Sequence, residues 1–114
     1  MNRPLVYVAG PLTNGDVEKN VRNAIDAANF LLDLGFSPFV PHLTYYMHAI
    51  QKRDYEFWMT YCLSMVPHCH AVLRIPGESP GAERELQAAA QLDIPTFSDV
   101  NLLVDYFRDR KSVV

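Results

Sequence analysis

The stretch LVYVAGP, at residues 5–11, is the strongest indication of the fold in this sequence. Five apolar residues in a row, followed by Gly10 and Pro11, are typical of a short strand that is buried on both faces. Strands of that kind occur in parallel sheets that carry helices on both sides. The rest of the chain should therefore alternate between short strands and helices.

Three more apolar runs have the length and the flanking residues of short strands, at residues 36–40, 71–75 and 94–97. Helical periodicity separates these runs. Its clearest example begins after Asp16, the expected N-cap, and ends at Gly35, the expected C′ residue. Further helices are predicted near residues 54, 79 and 99, whereas residues 42–53 lack a clean period and are predicted to form a functional loop or a short helix. Strands that alternate with helices form right-handed strand–helix–strand units. The sequence therefore predicts an α/β fold with a mostly parallel sheet.

The composition indicates one globular domain over residues 1–114. Hydrophobic residues make up 49% of the chain and charged residues 20%, which excludes a disordered or fibrous protein. The formal charge of -3 argues against a protein that binds nucleic acid polymers. The sequence has neither an apolar run of membrane-spanning length nor a basic leader followed by an apolar stretch. We therefore expect a cytoplasmic protein with no membrane partner.

Cys62 and Cys69 are expected to be free thiols in a reducing compartment. Together with His68 and His70 they contain the residue types of a zinc site. Cys69 and His70 are adjacent, however, and would point to opposite faces of a strand, and the spacing of zinc ligands is absent. We expect no metal and no other cofactor, and structural roles for both histidines.

Ligands of parallel sheets bind beyond the carboxyl ends of the strands, so the loops after the predicted strands hold candidate site residues. Gly10, Pro11 and Asn14 follow the first strand, and His42 follows the second. The first loop has neither the glycine pattern of dinucleotide-binding folds nor the Gly-Lys-Ser/Thr of a Walker A loop. A plain turn is the alternative to a ligand-binding loop here.

The loop after the third predicted strand leads into a helix that begins at Ser79, the expected N-cap, and Pro80. The N–H groups of a helix N-terminus bind anions, Ser79 adds a hydroxyl, and Gly81 leaves room for a phosphate. Glu85 lies in the second turn, from where its carboxylate can reach the loop as a nucleophile or a base. The alternative is that the nearby glutamates favour the helix dipole and that Glu85 faces solvent.

Five aromatic residues lie between the second and third predicted strands. A place in the core or in a subunit interface is favoured for them over a base-stacking platform. They are Tyr45, Tyr46, Tyr55, Trp58 and Tyr61.

The sequences YVAGP at residues 7–11 and SPGAEREL at residues 79–86 together resemble the nucleoside 2-deoxyribosyltransferase superfamily, which includes the 2′-deoxynucleoside 5′-phosphate N-hydrolases. The nearest resemblance within it is to the small DUF4406 branch. The resemblance covers residues 5–97 and implies a flavodoxin-like (Rossmann-like) three-layer sandwich with a mostly parallel sheet of four to five strands. It also implies a homodimer or a larger homo-oligomer whose neighbouring subunits complete each site.

The chemistry that the resemblance implies is cleavage of an N-glycosidic bond in a nucleoside or its 5′-monophosphate, by hydrolysis or deoxyribosyl transfer. Glu85 corresponds to the glutamate that attacks the anomeric carbon and forms a glycosyl-enzyme. Tyr7 corresponds to a tyrosine that orients this nucleophile. The expected substrate-binding residues are Gly10, Pro11, Asn14, His42, Ser79, Gly81 and Arg22.

Three positions depart from the pattern of this superfamily, and one of them is His70, which falls at the place of a second aspartate at the start of the third strand. Cys62 falls near the place of an aspartate that orients the substrate and protonates the leaving base, and Glu83 replaces a glycine. A thiol with an ordinary pKa near 8.5 is a poor replacement for a carboxylic acid. The alternative function is therefore a nucleotide-binding protein of the same fold with weakened catalysis. A flavin protein is disfavoured, because no Thr/Ser-rich phosphate loop follows the first strand.

Overall fold

The computed structural model describes residues 3–112, with side chains up to residue 109. Four parallel strands form one sheet in the order β2-β1-β3-β4. The strands are β1 (Leu5–Ala9), β2 (Ser37–Phe39), β3 (Ala71–Arg74) and β4 (Thr96–Phe97). The helices are α1 (Val17–Asp33), α2 (Thr44–Ile50), α3 (Tyr55–Met65), α4 (Pro80–Gln91) and α5 (Val100–Ser112). The predicted α/β, flavodoxin-like fold is confirmed, and three of its strands are shorter than the apolar runs that predicted them.

The alternation of side chains along β1 divides the core into two clusters, one on each face of the sheet. Val6 and Val8 pack in a cluster with residues of α1 and α5. Tyr7 and Ala9 pack in the other cluster, with residues of α3 and α4. Because successive residues point to opposite faces, Tyr7 is directed towards α4, and its side chain is completely buried.

The predicted helix ends are confirmed where local hydrogen bonds define them. The Asp16 carboxylate accepts from the Lys19 amide at the start of α1. Gly35, at φ 96°, ends that helix, and the amide of Phe36 donates to the carbonyl of Leu31. This is the Schellman arrangement, and glycine suits its left-handed residue. The N-cap role predicted for Ser79 is confirmed as well, since its Oγ accepts from the amide of Ala82 at 3.0 Å.

Residues 42–53 adopt the short-helix alternative. One turn of 3₁₀ helix at Pro41–Leu43 leads directly into α2. This helix has only two turns and leaves apolar side chains on its surface, with Ile50 91% exposed. An apolar period is therefore absent from this segment. None of the helices that the structure describes is long and apolar enough to span a membrane.

Between β1 and β3 the chain changes direction across the sheet, since β2 lies on one side of β1 and β4 lies beyond β3. Such a switch point opens a crevice at the carboxyl ends of the strands, where ligands of open α/β sheets bind. The loops that follow β1, β2 and β3 meet at this crevice.

Candidate active site

A cavity of about 610 Å³ opens at the carboxyl ends of the strands, which is ample for a mononucleotide-sized ligand. Gly10 and Asn14 line it from the loop after β1, and His42 lines it from the segment after β2. Ser79 and Glu85 line it from the start of α4. Loops that are far apart in the sequence therefore contribute to one cavity.

Glu85 and Tyr7 form a buried pair within this site. Glu85 is 5% exposed, and the Tyr7 hydroxyl donates a hydrogen bond to its Oε2 atom. Burial raises the pKa of Glu85 to about 7, although the Tyr7 hydrogen bond and the charge of Arg74 oppose the increase. Burial and the Glu85 carboxylate raise the pKa of Tyr7, so its hydroxyl stays protonated and donates. A carboxyl group that titrates near neutral pH in a cavity has the character of a catalytic group.

Cys62 lies beside this pair. It is buried in α3, lines the cavity, and packs in the same cluster as Tyr7. Burial and the Glu85 charge raise the pKa of its thiol to about 12, so the thiol is neutral at physiological pH. A buried neutral thiol is a weak acid and a poor nucleophile.

The first turn of α4 has the room that an anion would need. The hydroxyl oxygen of Ser79 accepts from the helix, which leaves its hydrogen available for a ligand. A Cβ atom on Gly81 would lie 3.0 Å from the hydroxyl oxygen of Tyr55, so glycine keeps this space open. Tyr55 contacts Arg84, whose guanidinium binds both carboxylate oxygens of Glu56 at 2.7 and 3.1 Å. These contacts hold the Tyr55 hydroxyl near the N-terminus of α4.

Gly10 lines the cavity, but the structure gives a different reason for glycine there than close approach of a ligand. A Cβ atom at this position would lie 2.2 Å from Cγ1 of Ile75, the residue after β3. Pro11, which was predicted to bind substrate, is not among the residues that line the cavity. Its carbonyl oxygen instead contacts Nε2 of His42 at 3.1 Å. Pro11 thus supports a cavity residue without lining the cavity itself.

His42 is almost completely buried, and burial lowers its pKa, so the ring is neutral. Its Nε2–H donates to Pro11, and its Nδ1 atom has no hydrogen-bond partner within residues 3–109.

The loops after β1 and β3 also contact each other. The Asn14 side chain donates to the carbonyl oxygen of Glu78 at 2.9 Å. A Cβ atom on Gly77 would lie 2.7 Å from the ring of Pro11, and Gly77 has a φ of 121°, which favours glycine. The two loops therefore pack closely where they border the site.

Arg22 does not reach the cavity, contrary to its predicted role as a phosphate ligand. It lies on the solvent face of α1, because Val21 and Ala24 supply the buried face, and it pairs with Asp26 at 3.5 Å. The cation that lines the cavity is Arg53, between α2 and α3. Sequence reasoning missed Arg53 because it lies in the segment without a period.

Aromatic residues form one wall of the cavity, and the sequence did not favour this placement. Tyr45, Tyr55 and Trp58 line the cavity, together with His48. The indole N–H of Trp58 donates to Nδ1 of His48 at 2.9 Å. Tyr46 and Tyr61 are not part of this lining. The sequence favoured a place in the core or in an interface for these five aromatic residues, but three of them line the cavity.

A family model described as a domain of unknown function, DUF7768, matches residues 4–98. The chain belongs to the DUF7768 family. No curated protein matches it. Among solved structures, this DUF7768 chain is similar to a 2-deoxyribosyltransferase from the psychrotolerant bacterium Bacillus psychrosaccharolyticus, with a TM-score of 0.60 and 21% identity over 81% of this chain and 69% of that chain. At this identity the likeness shows a shared fold.

The DUF7768 chain thus brings most of the predicted site residues to one place. Glu85 lines the cavity, and Tyr7, which is completely buried, lies behind it and donates to its carboxylate. Tyr7, Pro11 and Arg22 are outside the lining. Glu85 is the one carboxyl group among the described residues that line the cavity. This arrangement can present one buried carboxylate to a ligand that is held by the start of α4.

Proposed function

We propose that this protein cleaves the N-glycosidic bond of a nucleoside 5′-monophosphate or a nucleoside through a covalent intermediate on Glu85. The observation that carries the proposal is the hydrogen bond from the completely buried Tyr7 hydroxyl to Glu85, whose carboxyl group lines the cavity. The pair supplies a carboxylate whose orientation is defined by a donor that stays protonated. The fold shared with a 2-deoxyribosyltransferase supports the same chemistry.

In the proposed reaction, a Glu85 carboxylate oxygen forms a bond to the anomeric carbon of the sugar. The bond from this carbon to the base nitrogen breaks, and its electron pair stays on the nitrogen. Water then attacks the anomeric carbon, which releases the sugar and regenerates the carboxylate. In the transferase variant, a nitrogen of a second base attacks in place of water.

The start of α4 favours a 5′-monophosphate over a free nucleoside in this proposal. The N–H group of Gly81, the Ser79 hydroxyl and the nearby Tyr55 hydroxyl offer donors to a phosphate, whereas the amides of Ala82 and Glu83 already donate to Ser79. Arg53 also lines the cavity, and its guanidinium lies over the ring of Phe57, 4.3 Å from the ring centroid. Binding of the phosphate would place the sugar over the floor of the cavity.

The leaving nitrogen requires a proton, and the neutral Cys62 thiol is a poor source of it. We therefore assign this proton to water. General acid catalysis typically contributes about 10²–10⁴-fold to a rate, so we expect slow turnover in comparison with an enzyme that has a carboxylic acid in this place.

The test is incubation of the purified protein with a panel of nucleosides and 5′-monophosphates, with free base measured by chromatography. Glu85→Ala and Glu85→Gln serve as blanks, and Glu18→Gln, on the exposed first turn of α1, is the matched control. Release of base by the wild type and the control, but not by the blanks, supports the proposal. Equal release by Glu85→Gln would show that Glu85 is not the nucleophile.

A second candidate function is nucleotide binding without turnover, and the buried neutral thiol of Cys62 favours it. Saturable binding of a nucleotide with no product after long incubation would establish this function, whereas any release of base that depends on Glu85 would exclude it. We also propose that the protein is a member of the deoxyribosyltransferase superfamily, that it is related to the DUF4406 branch, and that it forms a homodimer.

A further inference from the structure

His48 is a residue of the cavity wall whose two ring nitrogens can be told apart. Two N–H groups converge on its Nδ1 atom, the indole N–H of Trp58 at 2.9 Å and the backbone N–H of Arg53 at 3.2 Å. Because both groups can only donate, Nδ1 is the acceptor nitrogen of the ring. The ring hydrogen of a neutral histidine then resides on Nε2.

The orientation of this ring is defined from two sides. Arg53 precedes α3, and Trp58 lies one turn inside it, whereas His48 belongs to α2. A rotation of the ring by 180° would replace Nδ1 with a carbon and break both hydrogen bonds. Nε2 makes no hydrogen bond to any residue in the described part of the chain. The wall therefore contains an oriented N–H donor that is available to a ligand.

The surroundings of His48 indicate which part of a nucleotide it would meet. Tyr45, from α2, and Trp58, from α3, line the cavity together with His48, and aromatic side chains stack on nucleobases. The Ser79 hydroxyl and the Glu85 carboxylate lie instead at the N-cap and in the second turn of α4. A base that lies against the aromatic wall would present its polar edge to His48.

Resting on the function proposed above, we propose that His48 selects nucleotides whose base presents a carbonyl oxygen at this edge over those that present an amino group. A fixed N–H donor pairs with the oxygen of a 6-oxopurine or a 4-oxopyrimidine. The same donor faces another donor when an amino group takes the place of the oxygen, and both hydrogens are then unpaired. The preference for a carbonyl oxygen arises because the Nε2–H of His48 can donate a hydrogen bond to the base but cannot accept one from an amino group.

The test compares pairs of ligands that differ at this one group: inosine with adenosine 5′-monophosphate, and uridine with cytidine 5′-monophosphate. Affinities are measured by titration calorimetry with the Glu85→Gln protein, in which the proposed nucleophile is absent. We expect the oxo member of at least one pair to bind about tenfold more tightly, as one well-formed hydrogen bond would give. Equal affinities within both pairs would overturn the inference.

Two variants in the same background separate the donor from its supports. In His48→Asn, the amide oxygen can replace Nδ1 as the acceptor for Trp58 and Arg53, whereas the Nε2–H is lost, so we expect the preference to disappear. Trp58→Phe removes one of the two donors that orient the ring and should weaken the preference while the protein stays folded by circular dichroism. An unchanged preference in either folded variant would contradict the role of His48. If no nucleotide binds at all, the proposed function itself fails.

Discussion

The raised pKa of Glu85 predicts that removal of its charge stabilises the protein at alkaline pH. The carboxyl group holds its proton more tightly in the folded chain, at about 7, than the ordinary value of 4.5 in an unfolded one. The resulting contribution to stability is present below pH 4.5 and is lost as the pH rises through 7. In Glu85→Gln this group no longer titrates, and the amide oxygen can still accept from Tyr7.

The magnitude follows from the two pKa values of Glu85. At about 1.4 kcal/mol per pKa unit, they correspond to about 3.5 kcal/mol across the full range, of which about 2.5 kcal/mol falls between pH 5 and pH 8.5. The free energy of unfolding of Glu85→Gln, relative to the wild type, should therefore be higher at pH 8.5 than at pH 5 by about this amount.

Urea denaturation of the wild type and the variant at both pH values measures this difference, because the other titrating groups contribute equally to both proteins. Glu18→Gln, which changes the same atoms at an exposed site outside the cavity, should follow the wild type at both pH values. Parallel curves for the wild type and Glu85→Gln would refute the reasoning, since they would show that the carboxyl group titrates in the same way in the folded and unfolded chains.

Five further predictions concern activity, packing and assembly. In an active enzyme, kcat/KM should rise about tenfold per pH unit below pH 7 and level off above it, because the attacking group is the charged Glu85. Tyr7→Phe removes a hydrogen bond that lowers the pKa of Glu85, so the rising limb of that profile should move to higher pH; an unmoved limb would exclude this role. Gly10→Ala places a methyl group against Ile75 and should lower the free energy of unfolding by about 1–3 kcal/mol in urea denaturation, whereas Gly15→Ala, where a Cβ meets nothing within 4 Å, tests the cost of backbone conformation alone. Cys62→Asp provides a carboxylic acid near the leaving group and should speed base release by up to about 10²-fold in the chromatographic assay; an unchanged rate would remove the proposed reason for slow turnover. Light scattering should give a dimer, and a monomer at all concentrations would contradict the expected assembly.

The frame of the fold could be predicted from the sequence because it depends on short-range patterns. The apolar run of β1 indicates a doubly buried strand, and its alternation directs Tyr7 to one face. The N-cap at Ser79 defines the start of α4, and Glu85 then follows in the second turn. The pairing of Tyr7 with Glu85 is what the resemblance to the nucleoside 2-deoxyribosyltransferase superfamily implies, and the two side chains are hydrogen-bonded in the structure.

The aromatic residues of α2 and α3 that line the cavity were beyond that reasoning for a physical reason. The helix α2 is too short to show an apolar period, and its contacts arise from packing against α3 rather than from its own pattern. The hydrogen bonds of His48 join two helices and the turn between them. The periodicity of one helix therefore does not predict them. Arg53 lines the cavity for the same reason, whereas Arg22, on a well-predicted helix, faces solvent.

The contacts between the loops after β1 and β3 have a consequence for protein engineering. Gly77 accommodates the ring of Pro11, and Asn14 binds the backbone of Glu78, so neither loop has a conformation that is independent of the other. A loop transplanted from another protein of the same fold would lose these contacts with the loop on the opposite side of the crevice. Changes of specificity at this rim should therefore succeed when both loops are exchanged together, and directed evolution should recover compensating pairs of substitutions across it.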